Sequence, residues 1–212
     1  MSQLPPLSQQ TEYRIINGNK NLIVAFGGKA LQFGMIPPFE FLRYLSATYR
    51  DCDLVFYIDI DQCWYHKGLR GITSNVDDTA TYLTSLSKNY VNVTFIGTSA
   101  GGYAAILFGS LCRVDHVVAF IPQTLLKDPV DERYGDLKRH INSSTKYLLY
   151  GDASIKDVDH DHHVRHCDNL DCPGVSVTRL DGCDMRILRN NGTLKEILDG
   201  VVFKSPLRID GL

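Results

Sequence analysis

The sequence lacks the features that mark membrane-spanning, exported and nucleic-acid-binding proteins. Its longest apolar runs, 22–26 and 117–121, are strand-sized, far short of the roughly 20 residues that cross a bilayer. Lysine and arginine number 22 against 24 acidic residues, so there is no basic excess to bind nucleic acid or anionic lipid. Residues 1–6 have neither a basic start nor an apolar core, so we expect no signal peptide. The expected partners therefore include neither nucleic acid nor a membrane.

The six cysteines are diluted over 212 residues, far below the density of a disulfide-stabilised scaffold. Without an export signal, we expect these to be free thiols in a reducing compartment, which predicts a cytoplasmic protein. The chain is 44% hydrophobic and 22% charged, as is typical of globular proteins. Its length predicts one domain over residues 1–212, with residues 1–11 as a loose N-terminal lead. Nothing in the composition specifies an oligomeric state.

Apolar strand-like runs alternate with helical patterns along most of the chain. Two β-prone runs, 13–16 and 21–26, are joined by Asn17-Gly18-Asn19-Lys20, which predicts an antiparallel hairpin. The later pattern predicts an α/β fold with a mostly parallel, doubly wound sheet in three layers. The remaining predicted strands are 54–58, 91–96, 116–121, 147–150 and 175–180, and the predicted helices are 39–49, 76–90, 100–111, 130–141, 161–170 and 185–198, the last with a break at Gly192.

The most specific chemical motif is Gly97-Thr98-Ser99-Ala100-Gly101, which lies between a predicted strand and a predicted helix. This is G-x-S-x-G at a sharp strand-to-helix turn. We expect the flanking glycines to be required because side chains there would collide with neighbouring backbone. The turn would project the Ser99 hydroxyl at a helix N-terminus, which favours negative charge. The motif predicts Ser99 as a nucleophile, with oxyanion donors from Ala100 and from the earlier loop at Gly27 and Gly28.

With this motif the chain resembles the α/β-hydrolase superfamily over roughly residues 12–198. The stretch 97–105, together with Phe120-Ile121-Pro122-Gln123 at the end of the next strand, is similar to small hydrolase-like proteins linked to surface-glycan biosynthesis. The resemblance implies a serine nucleophile, then an acid, then a histidine in chain order.

The acid implied by the resemblance should follow predicted strand 147–150. In such a sheet the ligand site lies at the carboxyl ends of the strands. Asp152, Asp157 and Asp159 all lie in that loop. We expect Asp152 to serve the turn, which leaves Asp157 or Asp159 as the acid. The alternative for either residue is a solvated or helix-capping aspartate.

The histidine implied by the resemblance is missing from its usual place. It should follow strand 175–180, yet no histidine occurs after His166. Two substitutes are candidates for the general base. His66 follows a strand that we expect beside the Ser99 strand, although it could simply pack on its aromatic neighbours. His160 begins a histidine cluster after the acid loop, whose later members are expected on a helix leading away. If neither reaches Ser99, catalysis is lost.

Two metal hypotheses also follow from the sequence. His162 and His166 are four residues apart and would share a face of the predicted helix, to which Asp159 and Cys167 could add ligands. This spacing is not diagnostic, so we predict a solvated helix and no metal. Asp59-Ile60-Asp61 ends an apolar strand, where a D-x-D pair of a metal-dependent glycosyltransferase would hold an ion.

The leading functional hypothesis is a serine-dependent acyl-ester hydrolase or acyltransferase without a cofactor. Its substrate would be a small molecule or a carbohydrate-linked ester, held by Gln123, Trp64 and Tyr65 near the strand ends. One alternative is an inactive binding protein that keeps the Ser99 turn as architecture. The other alternative is sugar transfer through Asp59 and Asp61.

Overall fold

A seven-stranded sheet forms the centre of the computed structural model, which describes residues 10–29 and 39–203. The strand order is β1-β3-β2-β4-β5-β6-β7, and β2 to β7 are all parallel. This confirms the predicted α/β class. Of the predicted N-terminal lead, residues 1–9 lie outside the described residues. The strands are β1 (Glu12–Ile15), β2 (Asn21–Phe26), β3 (Cys52–Tyr57), β4 (Asn92–Thr98), β5 (His116–Phe120), β6 (Lys146–Asp152) and β7 (Val175–Leu180).

The predicted N-terminal hairpin is wrong in its pairing. Strand β1 is antiparallel to β3, with Glu12 opposite Tyr57, and β2 lies between β3 and β4. The backbone N–H groups of Asn17 and Asn19 both donate to Asp53 Oδ1, at 2.9 and 3.0 Å, which fixes the connecting turn to the start of β3. The Asn-Gly pair therefore marks a turn without specifying which strands pair across it.

Helices cover both faces of the sheet and produce three layers. The apolar run in β2 is unbroken because its alternate residues belong to two cores on opposite faces of the sheet. Val24 belongs to the core that contains Leu83 and Phe108, whereas Ile23 belongs to the core that contains Leu45 and Leu198. The helices are α1 (Leu42–Thr48), α2 (Val76–Ser87), α3 (Ala100–Cys112), α4 (Arg165–Asp168), α5 (Met185–Asn190) and α6 (Thr193–Val202).

Three predicted helices differ from the structure in length or type. Predicted helix 161–170 is reduced to the single turn α4, and the residues before it form a loop with a bridge between Asp152 and His163. Predicted helix 130–141 consists of two 3-10 turns, Glu132–Tyr134 and Leu137–His140. Predicted helix 185–198 is divided into α5 and α6 at Gly192, whose φ is 89°, so the predicted break is confirmed.

Two expectations from composition can be compared with the structure. All six cysteines are free thiols, as predicted. In the described ranges, no helix has the length and apolar character needed to cross a membrane.

Candidate active site at Ser99

Ser99 stands at the turn between β4 and α3, with φ 55° and ψ −122°. Such a conformation is costly for a residue with a side chain and persists only where the surroundings impose it. A Cβ atom on Gly97 would lie 2.1 Å from the carbonyl oxygen of Gly101. A Cβ atom on Gly101 would lie 2.1 Å from the carbonyl oxygen of Phe26. The flanking glycines are thus sterically required, and that prediction is confirmed.

The Ser99 hydroxyl is hydrogen-bonded to His162, with 2.8 Å between Oγ and Nε2. His162 is half-buried. Burial lowers the pKa of its imidazole, and the neighbouring His160 lowers it further, against opposing effects from Asp161 and Asp152. The neutral ring, which accepts a proton, is therefore favoured near neutral pH. This pair has the geometry of a nucleophile and its base.

His162 can contact Ser99 because it lies in the loop that follows β6, before the first residue of α4. The backbone N–H of His162 donates to His160 Nδ1 at 3.0 Å, and the two rings are 5.5 Å apart. The expectation that His162 lies on a helix leading away is wrong, since α4 begins only at Arg165. The structure brings His162 to Ser99 and places His160 behind it as a support.

The aspartates of the β6 loop do not contact the His162 ring. Asp157 Oδ1 accepts the N–H of Asp159 at 3.0 Å within a turn. Asp159 lies 3.5 Å from Arg165 and its side chain is 77% exposed. Asp152 serves the turn, as predicted, because it accepts the backbone N–H groups of Ser154 and Cys183, both at 2.9 Å. Across residues 10–29 and 39–203, no carboxylate is hydrogen-bonded to the ring of His162.

His66 lies in a separate buried network. Its Nδ1 accepts the N–H of Asp131 at 3.0 Å, so the proton of the neutral ring is on Nε2 and donates to the Tyr103 hydroxyl at 2.7 Å. Tyr103 in turn donates to the carbonyl of Tyr134 at 2.6 Å. The expectation that the strand before His66 lies beside the Ser99 strand is wrong, because β2 separates β3 from β4. Both His66 nitrogens thus have partners other than Ser99.

The backbone N–H groups of Ala100 and Gly28 lie near Ser99 and differ in their hydrogen-bond partners. Ala100 is the first residue of α3, so its N–H has no partner within the helix. Gly28 adjoins Ser99, since a Cβ atom on Gly28 would lie 3.9 Å from Ser99 Cβ. The Gly28 N–H donates to Glu40 Oε2 at 3.0 Å. Burial raises the pKa of the Glu40 carboxyl to about 6.

The other two residues predicted for this part of the site have structural roles. The N–H of Gly27 donates to the Tyr57 carbonyl at 2.9 Å. Tyr65 is fully buried, and its hydroxyl donates to the Gly27 carbonyl at 2.9 Å. These two hydrogen bonds fix Gly27, the neighbour of Gly28, so Tyr65 stabilises the loop beside Ser99.

A cleft of about 630 Å³ lies at the carboxyl edge of the sheet, between the loops that follow β3, β5 and β6. Trp64 and Gln123 line it, with the indole N–H donating to Gln123 Oε1 at 3.1 Å. The Lys29 ammonium group is 3.2 Å from the centroid of the Trp64 ring. The complete lining comprises Trp64, Gln123, Leu125, Leu126, Lys127, Asp128, Asp159, Asp161, Arg165 and His166.

His166 lines this cleft, and its ring is hydrogen-bonded to the loop that follows β5. Its Nδ1 accepts the N–H of Thr124 at 3.2 Å, so the neutral ring carries its proton on Nε2. Burial lowers the pKa of His166 to about 4, which keeps the ring neutral. Within the described part of the chain, Nε2 is buried without a hydrogen-bond partner. Since His166 and His162 bind different groups, they do not form the pair of ligands considered from their spacing.

The Asp59 and Asp61 carboxylates form hydrogen bonds and an ion pair with other groups of the protein. Asp59 accepts the N–H groups of Cys63 and Tyr65, at 2.7 and 3.0 Å, and so shapes the loop after β3. Asp61 forms an ion pair with Arg70. Among the residues that the structure describes, no group of three His, Cys, Asp or Glu side chains is placed to hold a metal ion.

Comparison with solved structures identifies the fold. An α/β-hydrolase enzyme from the metagenome of sediments of the Mar Chica lagoon in Morocco is similar, with a TM-score of 0.56, 16% identity, and coverage of 89% of this chain and 94% of that one. The chain has the α/β-hydrolase fold. No family model matches the sequence, and no curated protein matches it either.

Two further α/β-hydrolase-like structures act on acyl groups according to their names. The capsule O-acetyltransferase of Neisseria meningitidis serogroup A has a TM-score of 0.64 and 13% identity, over 88% of this chain and 90% of that one. Acetyl xylan esterase 1 from Thermoanaerobacterium has a TM-score of 0.54 and 16% identity, over 89% and 77% of the respective chains.

The sequence-based predictions did not include the contacts that two residues make at this candidate site. The sequence pattern places His162 on predicted helix 161–170, within the histidine cluster of which His160 is the candidate base. The residues around Glu40, which lies just before α1, form no motif that would predict its contact with Gly28.

Proposed function

We propose that the protein is a serine-dependent acyl-ester hydrolase or acyltransferase, with Ser99 as nucleophile and His162 as general base. The observation that carries this proposal is the 2.8 Å contact between Ser99 Oγ and His162 Nε2 at the strained turn. Serine is a weak nucleophile on its own and needs an adjacent base of this kind.

The first half of the reaction forms an acyl-serine. Ser99 Oγ bonds to the carbonyl carbon of the ester while its proton moves to His162 Nε2. The negative charge that develops on the carbonyl oxygen lies at the N-terminus of α3, where the Ala100 N–H and the helix dipole stabilise it. When the intermediate collapses, the carbon–oxygen bond to the leaving alcohol breaks, and His162 returns the proton to that alcohol.

The second half of the reaction decides between hydrolysis and transfer. Water or a second alcohol attacks the acyl carbon, and His162 accepts its proton. Ser99 Oγ then leaves and is reprotonated by His162, which restores the starting state. The same two residues therefore serve both activities, and the acceptor that occupies the cleft determines the product.

The cleft at the carboxyl edge of the sheet, whose lining includes neither Ser99 nor His162, favours a polar, hydroxyl-rich substrate such as a carbohydrate-linked ester. Its lining combines the indole of Trp64 with the polar side chains of Gln123 and Arg165. An aromatic face with surrounding polar groups suits a sugar ring and its hydroxyls. The fold similarity to a capsule O-acetyltransferase and an acetyl xylan esterase supports the same class.

Covalent labelling with a fluorophosphonate, read by intact mass, tests the proposal. We expect one label on the wild-type protein and none on Ser99→Ala. Loss of the base removes about 10²–10⁴-fold of the labelling rate, so His162→Ala should be slow by that factor. Two matched histidine variants separate the roles. His66→Phe and His160→Ala should label within about tenfold of wild type, since neither ring contacts Ser99.

Two results would overturn this assignment. Equal labelling of wild type and Ser99→Ala would place the reactive group elsewhere. An absence of labelling at every pH between about 6 and 9, a range that spans the histidine pKa, would favour the alternative of a binding protein. Ligand screening against the cleft would then replace kinetics.

A further inference from the structure

Glu40 lies beside the Gly28 N–H, which the sequence predicts as a hydrogen-bond donor to the transition-state oxygen. Its Oε2 accepts the Gly28 N–H at 3.0 Å. The position of a Gly28 Cβ atom is 3.7 Å from this carboxylate oxygen and 3.9 Å from Ser99 Cβ. Glu40 and Ser99 therefore flank the same amide, which is one of the two oxyanion donors expected from the sequence.

The charge of Glu40 opposes the reaction at this place in two ways. A carboxylate forms a stronger hydrogen bond than a neutral acceptor, so it occupies the Gly28 N–H more firmly. It also repels a second negative oxygen that approaches the same amide. Both effects disappear when the carboxyl group is protonated.

The groups around Glu40 do not cancel its charge. On the α5 side, Arg186 and Arg189 line the same pocket of about 140 Å³, and Arg186 lies 3.2 Å from Asp184. The Tyr65 phenol and the Thr98 hydroxyl also lie near Glu40, while the Lys29 ammonium group lies over Trp64. The residues contributed by α1 and α6 to that pocket, Tyr44 and Leu194, carry no charge. In the described ranges no ion pair involves Glu40.

We propose that Glu40 is a positioning residue that controls the Gly28 oxyanion donor, and that Ser99 reacts in those molecules in which the Glu40 carboxyl is neutral. This proposal rests on the proposed function of Ser99. It adds that the protein has an acid-favoured activity, and that the same carboxyl suppresses the reaction as the pH rises. The raised pKa of Glu40, about 6, places this transition close to physiological pH.

The test compares wild type with Glu40→Gln across pH. Glutamine keeps the shape and the acceptor oxygen but carries no charge. With a pKa of about 6, the neutral fraction of Glu40 is near one at pH 5, about half at pH 6 and about one in a hundred at pH 8. The second-order rate constant for fluorophosphonate labelling of Ser99 should therefore be equal in both proteins at pH 5. The variant should be about twofold faster at pH 6 and up to about 100-fold faster at pH 8.

The ratio of the two rates isolates Glu40 because the titration of His162 is common to both proteins. Glu196→Gln, on the exposed face of α6, removes the same charge away from the site and should follow the wild-type profile. Glu40→Ala provides a second neutral side chain and should also lose the alkaline suppression.

The outcomes separate this proposal from the function on which it rests. Labelling of Ser99 with a variant-to-wild-type ratio that stays constant from pH 5 to 8 would refute the role of Glu40 and leave the serine chemistry intact. Slower labelling of Glu40→Gln at pH 8 would refute it too, because Glu40 would then assist the reaction as a carboxylate. If neither protein labels at any pH, both proposals fall.

Discussion

Replacing Glu40 with glutamine also tests the burial of this carboxyl through stability, without reference to activity. Burial raises the pKa of Glu40 from 4.5 to about 6 in the folded protein. A carboxyl whose pKa is raised on folding binds its proton more tightly in the native state. Its contribution to stability is complete below about pH 4.5 and is lost as the pH rises through about 6.

The size of this effect follows from the shift. A difference of about 1.5 pH units corresponds to about 2 kcal/mol of free energy of unfolding. Wild type should lose this amount between pH 4 and pH 8 through Glu40, whereas Glu40→Gln has no proton to release. The free energy of unfolding of the variant, relative to that of wild type, should therefore be about 2 kcal/mol larger at pH 8 than at pH 4.

Urea denaturation under reducing conditions, at pH 4 and pH 8, measures this change, since the contributions of all other groups cancel in the comparison. Glu196→Gln supplies the control for loss of an exposed charge and should show no such pH dependence. If the stability difference between Glu40→Gln and wild type is the same at both pH values, the carboxyl is not buried as described. The reasoning about the Gly28 amide would then lose its electrostatic basis.

Most of the sheet could be predicted from the sequence because local patterns specify strands. The apolar run of β2 demands cover on both faces, and the two cores provide it. The pairing of β1 could not be predicted in the same way. A turn signal such as Asn17-Gly18 reports the local backbone, whereas the choice between β2 and β3 as partner depends on Asp53, which is distant in sequence.

The Ser99 turn was also predictable, since the residue types that it requires lie at five consecutive positions. Gly97 and Gly101 are needed for close backbone approach, and both lie within the motif itself. A local motif of this kind specifies where a nucleophile lies. It does not specify which base meets it, because that base arrives from a different loop.

The position of His162 depended on where helix α4 begins. Histidine and aspartate are weak helix formers, and the residues before Arg165 consist almost entirely of them. This composition favours a later start of the helix, which leaves His162 in the loop after β6. Glu40 offered no such signal, because its contact with Gly28 joins two positions that are 12 residues apart in the chain.

Two remaining predictions test the cleft and the turn. Trp64→Ala should raise KM for an acetylated sugar about tenfold, as expected for loss of about 1–1.5 kcal/mol of ring stacking, while Ile187→Ala, an exposed residue on α5, should not; equal KM values would remove Trp64 from the binding site. Gly101→Ala should cost about 3 kcal/mol or more in urea denaturation, because its Cβ would lie 2.1 Å from the Phe26 carbonyl oxygen. Gly200→Ala in α6 meets no atom within 4 Å and should stabilise the protein by up to about 1 kcal/mol, so equal stability of the two variants would contradict the packing described at the turn.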